Sequence, residues 1–202
     1  LSRSSHESVE PIDPESWVDR YGDALYAYAR ARLRTQSEAE EVVQETFLAA
    51  LRFQNQYVGP GSQLQWLTSI LKRKIIDHFR ARARRDRMIN QENEFDSAAV
   101  LFNEQGGWQP GVLNFIAMST EDPIEVSELW QIVRHCLSRI PQGQADAFVL
   151  SVMEGLNQRE ICKELRIKPS NLWVRLHRAR LALAKCVSQK WAESKDEALS
   201  HE

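Results

Sequence analysis

The stretch "KPSNLWVRLHRARLALAKC", from Lys168 to Cys186, carries Ser, Asn, His and three Arg at helical spacing. At 100° per residue, Leu172, Leu176, Ala179 and Leu183 form one apolar stripe. Ser170, Val174, His177, Arg178 and Leu181 then face away from it, with Asn171 and Arg175 on one edge and Trp173 and Arg180 on the other. These are groups that read nucleic acid. Arg can grip guanine bidentately or clamp a phosphate, and Asn or His can read a base edge. The plainer alternative is a solvated basic face on an ordinary bundle helix, and this helix alone leaves both readings open.

A second group of cations lies upstream. "LQWLTSILKRKIIDHFRARARRDR", about Leu64 to Arg87, holds Lys72, Arg73, Lys74, Arg80, Arg82, Arg84, Arg85 and Arg87 against Asp77 and Asp86. Between residues 88 and 133 the charge reverses. That span has no Lys or Arg but contains Glu92, Glu94, Asp96, Glu104, Glu121, Asp122, Glu125 and Glu128. The net charge of −2 therefore hides a strongly segregated distribution.

The elements that must position these groups are helices. Gly and Pro are scarce, with 8 and 7 residues, and Ala, Leu, Glu, Arg and Gln dominate long runs. Asp13-Pro14 reads as an N-cap with Pro at the first helical position. It opens a helix with Trp17, Tyr21, Leu25, Tyr28 and Ala29 on its inner stripe. In "SEAEEVVQETFLAALR", Ser37 and Glu40 read as a capping box. Ala39, Val42, Val43, Thr46, Phe47 and Ala50 face inward, with Glu41, Glu45, Leu48 and Arg52 outward. Residues 53–63 read as a loop broken by Gly59-Pro60-Gly61. Helices follow at "EVSELWQIVRHCLSRI", "GQADAFVLSVMEG" (closed by Gly155) and "NQREICKELRI". The last is capped by Asn157 and Glu160, with Ile161, Cys162 and Leu165 buried. A tight turn then leads into the Lys168–Cys186 stretch, and this pair has the form of a helix-turn-helix.

The fold class expected is all-α: two small helical domains joined by an acidic linker, the second a helix-turn-helix. The ranges are a flexible tail over 1–12, a first domain over 13–87, the linker over 88–123, a second domain over 124–192 and a tail over 193–202. Phe102, Trp108, Phe115 and Ile116 are linker residues that could dock. No run reaches the roughly 20 apolar residues of a membrane span, and the polar amino terminus shows no secretory signal. Three cysteines far apart, Cys136, Cys162 and Cys186, argue against a disulfide framework and for the cytoplasm. No Gly-rich phosphate loop, triad or diagnostic metal-ligand spacing is present, so neither an enzyme nor a cofactor or metal site is expected. His135-Cys136 with Cys162 and Cys186 makes a poor zinc set, because adjacent residues do not share a helix face.

Two stretches together resemble one family. "SEAEEVVQETFLAALR", followed by "WLTSILKRKIIDHFRARARR", is similar to the second conserved region of bacterial sigma factors. "LSRIPQGQADAFVLSVMEGLNQREICKELRIKPSNLWVRLHRARLAL" is similar to their fourth. The order and the direct connection resemble the extracytoplasmic-function class. The resemblance implies that Glu41, Gln44, Glu45 and Leu48 dock on the clamp helices of the largest subunit of core RNA polymerase. It implies that Asn55, Gln56, Tyr57 and Ser62 in the loop, and Trp66, Lys72, Arg73, Arg80 and Arg84 on the helix, capture the opened promoter strand. It further implies that Trp173, Val174, His177 and Arg178 meet the upstream duplex, with Arg175 near phosphate, and the outward face and edge of the helix add Ser170 and Asn171 as duplex-binding candidates. Trp66 reads equally as a core anchor or a stacking platform. Arg73 and Lys74 depart from the Asn and apolar residue of many relatives, and Trp173 stands where many have Lys or Arg.

The resemblance also implies contact with the polymerase flap, a linker that threads toward the RNA path, an anti-sigma partner, a monomeric active state and no membrane insertion. Leu48, Leu181 and Trp173 are points where such a partner could clamp. A stand-alone helix-turn-helix regulator, binding duplex DNA without polymerase, is the alternative function.

Overall fold

A computed structural model of the chain describes residues 13–57, 62–89 and 123–199. The described residues form seven α-helices, α1 Trp17–Arg30, α2 Gln36–Phe53, α3 Gln63–Ile89, α4 Pro123–Arg139, α5 Gln142–Phe148, α6 Gln158–Leu165 and α7 Pro169–Leu199, with short 3-10 and π turns between them. The chain divides into two compact units, Leu1–His78 and Phe79–Glu202. The expectations for the amino-terminal tail, the Gly59-Pro60-Gly61 break and most of the acidic linker fall outside the described residues. α7 runs through Leu199 and so takes in most of what the sequence suggested was a tail.

In the first unit α1 packs on α2, and the inner stripes match the helical period. Trp17, Leu25 and Ala29 of α1, and Ala39, Val42, Val43, Thr46 and Ala50 of α2, are buried. Leu67, Leu71 and Ile75 of α3 are fully buried. Each such Leu or Ile contributes about 1.5–3 kcal/mol relative to exposure. Thr46 satisfies its hydroxyl by donating to the Val42 carbonyl at 2.8 Å. Trp17 donates its indole N–H to Gln63 Oε1 at 2.7 Å in a buried bond.

Two start signals differ from expectation. Asp13 precedes a 3-10 turn, Pro14–Ser16, and its side chain caps nothing. The capping box of α2 is Thr35 with Glu38, two residues earlier than Ser37 with Glu40. Both pairs fit the S/T-x-x-E pattern. Thr35 wins because its backbone is extended, as a cap requires, whereas Ser37 already lies inside the first turn.

In the second unit α5 and α4 pack along α7 and α6 closes the cluster. Cys136, Leu137, Ile140, Ala147, Phe148, Leu150, Ile161, Leu165, Leu172, Leu176, Ala179, Leu183 and Val187 are buried. Gly155, at φ +67, reverses the chain after a π turn over Val149–Met153. Asn157 and Glu160 form the capping box expected of α6. Arg166 ends α6 in the left-handed conformation (φ 53, ψ 45), while the Ile167 N–H reaches the Cys162 carbonyl at 3.1 Å.

The cysteines correct the sequence reading. Cys136 of α4 and Cys186 of α7 form a disulfide across 50 residues, with Cα atoms 5.8 Å apart. Linear spacing carried no sign that α4 returns beside α7. Cys162, expected on the buried stripe of α6, is half-exposed, and partial burial pushes its thiol pKa up.

Candidate nucleic-acid and protein interfaces

The helix-turn-helix is built by α6, the Arg166 turn and α7. Leu172, Leu176, Ala179 and Leu183 pin α7 to the core. The opposite face is thereby turned outward: Ser170 and Arg178 are exposed, while Asn171, Trp173, Val174 and His177 are partly exposed. Neutral and cationic groups sit there with no carboxylate among them, which suits a polyanionic groove.

Arg175 differs from its neighbours. Its guanidinium lies so close to Gly143 that a Cβ there would stand 2.6 Å from Nη1. It also lies near enough to Asp146 of α5 to favour the carboxylate form. Asp146 is buried and accepts hydrogen bonds from Arg82, one of them from Nε at 3.2 Å. Burial outweighs the arginines and pushes the Asp146 carboxyl up to about 6. Arg82 was not among the expected site residues. Its burial (6% exposed) and its aspartate mark it as part of the second unit's packing.

The strand-capture candidates separate in the structure. On α3, Lys72, Arg73 and Arg84 are exposed. Lys72 lies 5.9 Å from the Tyr28 ring centroid, a cation–π distance. Arg80 is engaged with Glu164 of α6, Nε to Oε2 at 2.5 Å, both in the second unit. Trp66 is half-buried between two rings, 5.8 Å from Trp17 and 5.4 Å from Tyr57. Both rings meet Trp66 tilted, at 59° between planes. Asn55 is exposed in the 3-10 turn Gln54–Gln56, and nothing is described of the Gln56 side chain. Ser62 serves as the start of α3: its hydroxyl accepts from the Gln65 N–H at 3.3 Å and its carbonyl from the Trp66 N–H at 3.2 Å.

The outer face of α2 presents Glu41, Gln44, Glu45 and Leu48, all exposed. Glu45 is paired with Lys74 of α3 at 3.1 Å. One further residue that sequence reasoning passed over extends this ridge: Leu51, 44% exposed, beside Leu48 at 55%. The i, i+3 relation of Leu48 and Leu51 puts them on one face, a signal available from spacing alone. Exposed apolar residues rimmed by carboxylates suit a basic partner helix with an apolar stripe.

Among the described residues no group of His, Cys, Asp and Glu could hold a metal ion, and no helix is long and apolar enough to cross a membrane.

Comparison with known proteins brings both interfaces into one frame. The family described as Sigma-70 region 2 matches residues 17–85, and that described as Sigma-70, region 4 matches residues 130–183. A "Probable RNA polymerase sigma factor" of Haemophilus influenzae is 32% identical over 168 residues, covering 82% of this chain and 85% of its own. The "ECF RNA polymerase sigma factor SigW" of Bacillus subtilis is 26% identical over 168 residues, covering 83% and 85%. Among solved structures, the sigma factor RpoE from Bartonella quintana, crystallised with the anti-sigma factor NepR, covers 86% of this chain and 96% of its own at 18% identity and a TM-score of 0.41.

Proposed function

This chain belongs to the extracytoplasmic-function sigma factors of bacterial RNA polymerase, and from that premise we propose how its own residues divide the work. Residues 13–87 act as region 2 and residues 124–192 as region 4. Glu41, Gln44, Glu45, Leu48 and Leu51 dock on the clamp helices of the largest subunit. Lys72, Arg73 and Arg84 draw the opened strand along α3, while Trp66 and Tyr57 offer it a stacking surface. Region 4 reads the upstream duplex with Val174, His177 and Arg178 and contacts the polymerase flap. The chain is a promoter-recognition subunit and not a catalyst. It acts as a monomer in the cytoplasm, and an anti-sigma protein covers its polymerase-binding faces between signals.

One observation carries this reading. The stripe Leu172, Leu176, Ala179 and Leu183 is buried at 1, 4, 0 and 6% exposure, so the orientation of α7 is fixed and the Val174–Arg178 face is turned outward. Strand opening follows from differential binding: stacking lost at the start site is offset by contacts to extruded bases and phosphates. Each unit offers few base contacts, so duplex affinity without polymerase is weak.

The test is promoter-library transcription with core polymerase. Initiation dependent on the protein, at sites with a two-part consensus, is the expected result. Tight duplex binding in the absence of core, with no initiation, would instead support a stand-alone helix-turn-helix regulator.

A further inference from the structure

We propose that Cys136–Cys186 is a reversible redox site through which a dithiol reductant loosens the promoter-reading unit and lowers promoter use. This rests on the sigma-factor reading, which puts the protein in a reducing compartment. Disulfides there are mostly transient and redox-sensing.

The bond joins α4 to α7 beyond the reading face, eight residues after Arg178. Its surroundings are core: Cys136 is 0% exposed, and Leu137, Ile140, Leu183 and Val187 are all buried. α4 therefore depends on this seam to stay against the helix that reads DNA. The two sulfurs differ in access, since Cys136 is sealed and Cys186 is partly exposed. Exchange accordingly begins at Cys186. A thiolate of the reductant attacks Cys186 Sγ, the Cys136–Cys186 bond breaks, and Cys136 Sγ leaves with the electron pair and takes a proton. The reductant's second thiolate then attacks its own sulfur in the mixed disulfide, and Cys186 leaves and is protonated. Two electrons pass from the dithiol to the protein, and the reductant ends as its disulfide. The oxidised form of the same reagent class runs the sequence backwards.

Reduction removes a cross-link spanning 50 residues, which opens the unfolded ensemble and lowers the second unit's thermal midpoint by about 10 °C or more. The reduced thiols remain compatible with the core, because a buried Cys packs as a small apolar residue. At the reduced form's midpoint half of the reduced protein is folded, against nearly all of the oxidised protein, an excess of folded reading head of about two-fold.

The full chain is treated with graded dithiothreitol, and three quantities are read: alkylatable thiols by intact mass, thermal midpoint and run-off transcript with core polymerase. The oxidised protein takes up one alkyl group, on Cys162, and the reduced protein three. The midpoint falls with reduction, the transcript falls about two-fold at the reduced form's midpoint, and oxidised dithiothreitol restores all three. Cys186→Ser reproduces the reduced behaviour in both conditions, whereas Cys162→Ser keeps the full redox response. Three alkylatable thiols under every condition, or a midpoint and transcript yield that ignore the redox state, would overturn the proposal. An absence of transcript in both states would overturn the sigma-factor reading instead, while thiol count and midpoint still decide the redox site.

Discussion

Arg178→Ala separates a residue that reads DNA from one that merely decorates a helix. Arg178 is exposed on α7, and two residues earlier Leu176 is buried to 4%. The two positions point opposite ways, so truncating them affects different quantities. Removing an exposed side chain changes folding stability by no more than about 0.5 kcal/mol. Loss of a bidentate base contact costs about 1–3 kcal/mol of binding, which is roughly 5- to 150-fold in promoter occupancy. Leu176→Ala inverts the pattern, costing about 2–5 kcal/mol of stability through the cavity it leaves between α7 and the core. The assay pairs thermal unfolding with run-off transcription on promoters varied one base pair at a time in the upstream element. Arg178→Ala should leave the midpoint unchanged and flatten the preference at one base pair. A uniform loss across all upstream sequences would reassign Arg178 to a phosphate. No loss at all would refute the orientation of α7 on DNA.

Other perturbations test the remaining parts. Replacing Leu48 and Leu51 with Asp, both exposed on α2, should reduce core-polymerase binding at least about tenfold without moving the thermal midpoint, as expected when apolar anchors are removed from an interface; pull-down with core measures it, and undiminished binding would put the docking face elsewhere. Gln63→Ala leaves the buried Trp17 N–H without its acceptor and should cost about 1–3 kcal/mol in urea unfolding. Asp146 supplies the pH test. Its folded pKa of about 6 lies above the ordinary carboxyl value of 3.8, so its proton contributes stability that is complete below about 4 and lost as pH rises through about 6. The stability of the wild type minus that of Asp146→Asn should therefore decline across that window, and a difference independent of pH would exclude the burial that raises it.

Much of the helical frame can be read from periodicity, because each amphipathic face obeys a local rule. The α2 stripe, the α7 stripe and the Asn157–Glu160 box all lie within a few turns of their partners in sequence. The misses are tertiary or a choice between equal local signals. Thr35 and Ser37 both satisfy the same cap pattern, and only the backbone at Thr35 decides between them. Ser62 reads as a polar loop residue until its hydroxyl is found at the start of α3. The links Cys136 to Cys186, Arg80 to Glu164 and Arg82 to Asp146 bridge 50, 84 and 64 residues. No spacing rule reaches that far, so a cation expected to meet DNA could not be told from one engaged with a carboxylate. Leu51 is different: its place beside Leu48 follows from the i, i+3 spacing of a helix and is legible in the sequence.

Run-off transcription with purified bacterial core polymerase, with and without this protein, on promoters selected from a random library decides the function. New initiation that requires the protein and yields a two-part consensus is the predicted result, and it would make α7 a duplex reader. Duplex binding without core and without any initiation would contradict it and leave the cations of α3 without a role.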